Sequence, residues 1–392
     1  MKTYLFTRIM SLIQQSILKR SLQIRKVTFF KINEYLNANG TKRNLFSSSF
    51  KPNISHEETR SFLNTFPVII KDLTDHDLFN IFPEMKNRLD RMMEYSSLAG
   101  NKSVPLTMLM AYKSFEKPEK LTDENMTLAY ILGWLTELVQ IVFFMTTDVA
   151  EEINTRKNIP TWHTYADVQL KAANDSTILE NYVFLFLKKY FSSHSRYEQL
   201  MDLFNNTIYK TFQGIGFESC NVNIEDFSMD RLEKIAKYRF FYSCYLLPIY
   251  SAMYLADMTE LRGFESTENV LFEMAKYTKV ENDYLDSFNC PSFNTNIRFG
   301  RCSWLALKAY EKASLSQKDL LKKFYGCLNN ESTHKIRCLY EELDIPRDFQ
   351  NHRNESFRTI RKKIDDLSMY NEMTLLRQVL NNFVIAKAVR AQ

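Results

Sequence analysis

From position 57 to near the C-terminus, apolar residues recur at spacings of three and four, the period of a helix with one buried face. The pattern predicts helices over 57–73, 83–97, 106–115, 168–191, 196–217, 266–288, 303–313, 316–325, 333–343 and 354–388. Two further stretches are apolar on every side. Residues 128–147 are interrupted only by Glu137 and Gln140, and 240–256, inside a helix over 229–257, hold Pro248 but no charge. Either has the length to cross a bilayer. The first runs directly into Asp148, Glu151 and Glu152, and neither is flanked like an anchor, so both read as central helices of a bundle. Thr122 is a candidate N-cap ahead of Glu124. No period-two alternation and no internal repeat is sustained. The fold class that follows is all-α, a large single-domain helical bundle.

Composition agrees. Only 8 Gly and 9 Pro occur in 392 residues, too few for an all-β chain or a glycine-looped nucleotide fold. Neither G-x-G-x-x-G nor G-x-x-x-x-G-K-[ST] is present, which argues against Rossmann and P-loop chemistry. The 30 Phe and 21 Tyr suffice for a large core or a large apolar pocket. A formal charge of +5 is mild for this length and gives no support to nucleic-acid binding. The six cysteines form no C-x-x-C pair and lie at no zinc spacing from a histidine, which fits a reducing compartment.

The N-terminus is different in kind. Residues 1–33 contain no Asp or Glu, while Lys2, Arg8, Lys19, Arg20, Arg25, Lys26 and Lys31 are set among Leu, Ile and Phe. Acid-free, basic and amphipathic is the pattern of a mitochondrial transit peptide, with a basic tail of no targeting meaning as the alternative and the cytoplasm as the other location. Residues 38–56, rich in Asn, Ser and Lys, read as a linker. The expected organisation is a leader and linker over 1–55 and one helical domain over 56–392, with no transmembrane segment.

Candidate chemistry centres on Glu281-Asn282-Asp283-Tyr284-Leu285-Asp286. On a helix, Asn282 and Asp286 stand at i and i+4 with Asp283 beside them, so their oxygens point one way. Hard oxygen ligands of this kind suit Mg²⁺, which completes its octahedron with water and phosphate. A second acidic set, Asp148, Glu151 and Glu152, closes the apolar helix over 128–147, and Arg156 and Lys157 follow it. Two solvated helix ends are the plain alternative. Two acidic helix ends facing each other would instead make a magnesium–diphosphate site.

These stretches resemble a known family. Leu128-Ala129-Tyr130-Ile131-Leu132-Gly133-Trp134, Thr155-Arg156 with Pro160 and Trp162, and Asn174-Asp175 with Leu179-Glu180 are similar to the trans-isoprenyl diphosphate synthases. Asn282-Asp283-Tyr284-Leu285-Asp286, Arg301-Cys302-Ser303-Trp304 and Leu339-Tyr340-Glu341-Glu342-Leu343-Asp344 continue the likeness, which runs from about residue 57 onward. The resemblance implies Mg²⁺, three ions with Mn²⁺ as an alternative, held by Asp148, Glu151, Asn282, Asp283 and Asp286, with Thr147 and Glu152 as substitutes. It implies Arg156, Lys157, Arg239 and Arg301 on the substrate diphosphate, and a homodimer. It places Gln140, Val142, Phe143, Phe144 and Phe240 at the substrate pocket, with Val142 and Phe143 setting its depth. The catalytic set would be Asp148, Asn282, Asp283 and Asp286. Lys279 replaces a family glutamine and adds a cation.

The departures are as informative. The family's two D-D-x-x-D motifs begin here with Thr147 and Asn282. Its G-G-K-x-x-R segment, which holds isopentenyl diphosphate, reads Ala99-Gly100-Asn101-Lys102-Ser103-Val104, so Asn101 and Val104 stand at the two cation positions. Losing two charge-assisted contacts to a diphosphate costs about 1.5–3 kcal/mol each. An allylic site kept and a second site lost implies an insect-type terpene synthase related to farnesyl diphosphate synthases, ionising farnesyl diphosphate and releasing a sesquiterpene. Geranyl diphosphate is the second substrate choice. The alternatives are a prenyltransferase making geranyl or farnesyl diphosphate, and a catalytically silent partner subunit.

Overall fold

A computed structural model describes residues 56–74, 82–99, 102–156, 159–220, 222–259, 264–288 and 294–367. The leader, Asn101, Lys157 and the expected helix beyond 367 lie outside the described residues. The chain divides into two compact units, Met1–Asn64 and Thr65–Gln392. The first unit's described part is the opening of helix α1 (His56–Thr74).

The described part of the second unit is helical almost throughout: α2 (Pro83–Ala99), α3 (Ser103–Phe115), α4 (Asp123–Ala150), α5 (Lys171–Phe191), α6 (Tyr197–Ser219) and α7 (Met229–Ala236) come first. A π-helical segment over Lys237–Leu246 joins α7 to α8 (Leu247–Leu255). Then follow α9 (Phe264–Phe288), α10 (Thr295–Arg298), α11 (Trp304–Lys312), α12 (Leu315–Phe324), α13 (Asn330–Glu342) and α14 (Ile345–Leu367). The helix starts are written in the sequence. Thr122, Ser228, Ser303, Ser314 and Asn329 each accept a backbone N–H three residues on, which satisfies one of the orphan donors of a first turn.

Helix α4 is the axis. Among the described residues it is the one helix long and apolar enough to cross a membrane, and it is mostly buried within the protein. It packs on α3, α5 and α8, while α9 packs on the π segment and α14. The tilted packing of Phe66 on Trp134, with ring centroids 4.1 Å apart, fixes α1's second half to this axis. A second core gathers Ile297, Trp304, Leu305, Leu339, Tyr340 and Phe349 around the end of α9.

Two features escape a periodicity reading. Strands β1 (Thr155–Arg156) and β2 (Ile159–Pro160) pair antiparallel, with Arg156 opposite Ile159. Two-residue strands are too short for alternation to register. The π segment interrupts what reads as one continuous helix over 229–257, because its i→i+5 bonds widen the turn without changing the apolar character of the residues.

Candidate active site

The facing surfaces of α3, α4, α6, the π segment and α9 enclose a cavity of about 420 Å³, within the range of small-molecule sites. Helical spacing decides who lines it. From α4 come Glu137, Gln140, Phe143, Phe144 and Thr147, successive positions on one face, followed by Glu151 at its C-cap. From α9 come Thr278, Lys279, Asn282, Asp283 and Asp286; from α6, Thr211, Ile215 and Glu218. Val142 does not line the cavity, which corrects its expected place in the pocket wall. It is 1% exposed and, one residue from Phe143, turned away by about 100°. Phe143 sits in the wall, braced edge-on by Phe212 at 5.2 Å.

The π segment supplies Arg239, Phe240, Ser243, Cys244 and Tyr245. Its widened turn brings residues four and five apart onto one side, so both Arg239 and Phe240 reach the cavity. Gln140 is tied across to this segment: its Nε2 donates to the Ser243 carbonyl at 3.0 Å.

The first acidic set is charge-paired. Asp148 lies behind the cavity wall, not in it, and Arg156 donates to its Oδ1 at 2.5 Å from Nη2 and 3.2 Å from Nε. Burial pushes the Asp148 carboxyl up, and Arg156 opposes that rise. Arg156 sits on β1, whose pairing with β2 is flanked by Thr161 donating to the Ile153 carbonyl. Its guanidinium also lies 4.5 Å from the Phe144 ring centroid. Glu151 pairs with Arg301 Nη2 at 2.8 Å, and this carboxylate holds the Arg301 charge against the cost of burial.

The second acidic set is more deeply built in. Asp283 Oδ1 accepts from Lys279 Nζ at 2.6 Å and Asn296 Nδ2 at 3.0 Å, and Oδ2 accepts the Trp304 backbone N–H at 2.9 Å. Asp286 Oδ1 accepts the Thr295 N–H and hydroxyl, and Oδ2 accepts the Asn296 N–H at 3.0 Å, so Asp286 caps α10. Burial raises both carboxyls, Asp283 to about 6. Asn282, Asp283 and Asp286 all line the cavity, with Asn282 exposed, Asp286 half-buried and Asp283 buried. The carboxylates expected to bind metal are thus anchors of the α9–α10–α11 corner as well.

Glu218 gave no signal in the sequence. On α6 it faces Lys279 Nζ at 3.0 Å through Oε1 and Arg239 Nη1 at 2.8 Å through Oε2. The Arg239 contact is an ion pair whose angle falls outside a hydrogen bond, since Nη1 has no hydrogen-bond partner. Burial would raise the Glu218 carboxyl, yet Lys279, Arg239 and Arg301 together hold it down at about 2. Asp283 moves the other way because it faces one cation and has Glu218 beside it.

The far end, at Ser103, Val104 and Thr107, carries no lining cation among the described residues. Lys102, in a left-handed backbone conformation at φ 60°, turns instead into the protein. It bonds Glu137 at 3.1 Å, both groups buried, and lies 5.2 Å from the Trp134 ring centroid. Trp162 and Asp175, two of the motif residues, bond each other at 2.7 Å beside Arg88 and are structural.

Among the described residues no three acidic, histidine or cysteine side chains converge to hold a metal unaided. Asp148, expected as a ligand, is turned behind the cavity wall and held by Arg156, whereas Glu151 and Asn282 nonetheless present hard oxygens to the cavity. That donor set fits a magnesium ion taking its other ligands from water and a diphosphate.

The polyprenyl synthetase family model matches residues 86–343. The chain is 31% identical over 335 residues to a farnesyl pyrophosphate synthase of Nezara viridula, covering 84% of this chain and 83% of that one. It is also 31% identical to the farnesyl pyrophosphate synthase of Zea mays, covering 83% and 95%. A solved T. brucei farnesyl diphosphate synthase, complexed with risedronate, superposes with a TM-score of 0.76 at 23% identity, covering 82% of this chain and 96% of that one. That likeness carries the fold.

Proposed function

Because the chain belongs to the polyprenyl synthetase family, we propose that it is a prenyltransferase that ionises an allylic diphosphate and couples it to isopentenyl diphosphate, making geranyl or farnesyl diphosphate. The observation that carries this reading is the match to farnesyl pyrophosphate synthases over more than four fifths of the chain. It takes first place from the terpene synthase expected on the sequence, because the named relatives are chain-lengthening synthases. Enzymes of this family use Mg²⁺, which when bound would neutralise the diphosphate and make it a better leaving group. Glu151 and Asn282, which line the cavity, would hold it.

The chain's own residues do the rest. Arg156, Arg239 and Arg301, each facing a carboxylate, would take up the negative charge that grows as the C–O bond breaks. Phe143, Phe144 and Phe240 line the path of the hydrocarbon, where ring faces stabilise a carbocation and exclude water.

One observation favours the terpene synthase as second reading. At the end where a second diphosphate would sit, Val104 lines the wall, and the nearby Lys102 is neutralised by Glu137. The decisive experiment gives the purified protein Mg²⁺ with dimethylallyl plus isopentenyl diphosphate, and separately farnesyl or geranyl diphosphate alone. Longer diphosphates from the pair are the expected result. Hydrocarbon from a single substrate, with no elongation, would replace the first reading by the second. Homodimerisation and mitochondrial import from the basic leader are part of the same proposal. Light scattering and imaging of a tagged full chain test them.

A further inference from the structure

We propose that Gln140 is a positioning residue whose amide stands in for the backbone N–H that Pro248 lacks, and so holds the π segment in the register that brings Arg239 to the cavity. The part given to Arg239 rests on the reading of a diphosphate cavity. In a π turn the Ser243 carbonyl would accept the N–H five residues on, and in an α turn the one four residues on. The first position is Pro248, which has no N–H, and the second, Leu247, gives its N–H to the Tyr242 carbonyl. A buried carbonyl left without a donor is costly. Gln140 meets it from α4, donating from Nε2 at 3.0 Å, while its Oε1 accepts from the Cys244 thiol at 3.7 Å. Both ends of one buried amide are thus spent on consecutive residues of the π segment.

The hold passes on to Arg239. Ser243 Oγ donates to the Arg239 carbonyl at 3.1 Å, so hydrogen bonds lead from α4 through Ser243 to the backbone of the residue that faces Glu218. Two residues on, Tyr245 Oη lies 2.5 Å from Thr278 Oγ1, which ties the same segment to α9. A Ser243 carbonyl without Gln140 would draw the Leu247 N–H to itself and tighten the turn to α register. That slip of one residue would rotate the Arg239 side chain by about 100°. Gln140 therefore acts through Arg239, at the cost of its own freedom to reach a ligand.

The test is a rescue. Full-length wild type, Gln140→Met, Pro248→Ala and the double variant Gln140→Met/Pro248→Ala are titrated calorimetrically with inorganic diphosphate in excess Mg²⁺, and their folding is followed by circular dichroism. Methionine keeps the length of the side chain without its donor, and Pro248→Ala returns a backbone N–H within reach of the Ser243 carbonyl. Gln140→Met is expected to weaken diphosphate binding about tenfold in the natural background, the worth of one hydrogen bond, and less than about twofold in the Pro248→Ala background. A Gln140→Met chain that fails to fold, and folds again in the double variant, supports the proposal in the same way; failure in both overturns it. An equal loss in both backgrounds would mean that Gln140 touches the diphosphate itself. That result, or no loss in either, overturns the proposal and leaves the functional reading standing. No diphosphate binding by folded wild type overturns both.

Discussion

At Asn282 and Asp286, four residues apart on α9, the same change to alanine is expected to fail in different ways. Asn282 is exposed to the cavity, so Asn282→Ala should leave the urea midpoint unchanged. It should lower turnover by at least about 10–100-fold, the loss met when even outer partners of a metal are removed. Asp286→Ala orphans the Thr295 and Asn296 N–H groups, at a cost of about 1–3 kcal/mol per donor, and should show first as lost stability. Equal stability of the two variants would deny Asp286 its anchoring role. Glu218 offers a pH test. Its carboxyl is held near 2 against an ordinary 4.5, so its stabilisation is present above 4.5 and is lost as pH falls toward 2. Glu218→Gln should cost about 3–5 kcal/mol at neutral pH, as expected for breaking a buried pair. The gap to wild type, followed by denaturant melts, should narrow as pH drops below 4.5. A gap that widens on acidification would mean the carboxylate is not held by its cations.

At the scale of elements, the contact between α6 and the π segment carries the diphosphate end of the cavity, and two glycines test it. A Cβ on Gly214 would stand 2.7 Å from both the carbonyl carbon and the Cβ of Tyr238, next to Arg239. Gly214→Ala should therefore force the two elements apart, costing about 1–3 kcal/mol and weakening diphosphate binding with it. Gly216, two residues on, meets nothing within 4 Å, so Gly216→Ala should instead add about 1 kcal/mol through helix propensity. Chemical denaturation of both variants, with opposite signs expected, checks the close approach. The helices themselves were legible from spacing of apolar residues and from caps such as Thr122 and Ser314. The π segment was not. Its residues keep the apolar character of a helix, and only packing against α6 and α9 selects the wider turn.

For the whole molecule, the division into two compact units falls within α1, between Asn64 and Thr65, whereas residues 38–56 read as linker in the sequence. A chain that starts at residue 56 is expected to keep Mg²⁺-dependent turnover within about twofold, since among the described residues the lining comes from 103 onward and substitutions away from such sites change little. Loss of activity on this truncation, with helicity intact by circular dichroism, would give the leader a part in catalysis. Chelation of metal should stop turnover in both forms, and added Mg²⁺ should restore it.

Local order in the chain determined the all-α class, the central apolar helix α4, most helix boundaries and the two acidic stretches, because each is written in spacing and residue type within a turn or two. Family likeness in those stretches named Asp148, Arg156, Asn282 and Arg301 as candidates, of which Arg156, Asn282 and Arg301 line the cavity. Tertiary structure decided what each one touches. Asp283 and Asp286 became anchors because α10 and α11 deliver N–H groups to them, and Val142 left the pocket because helix phase turned it away from Phe143. Lys279 was committed to Glu218 because α6 brings that carboxylate from far along the chain, at a distance no spacing rule reaches.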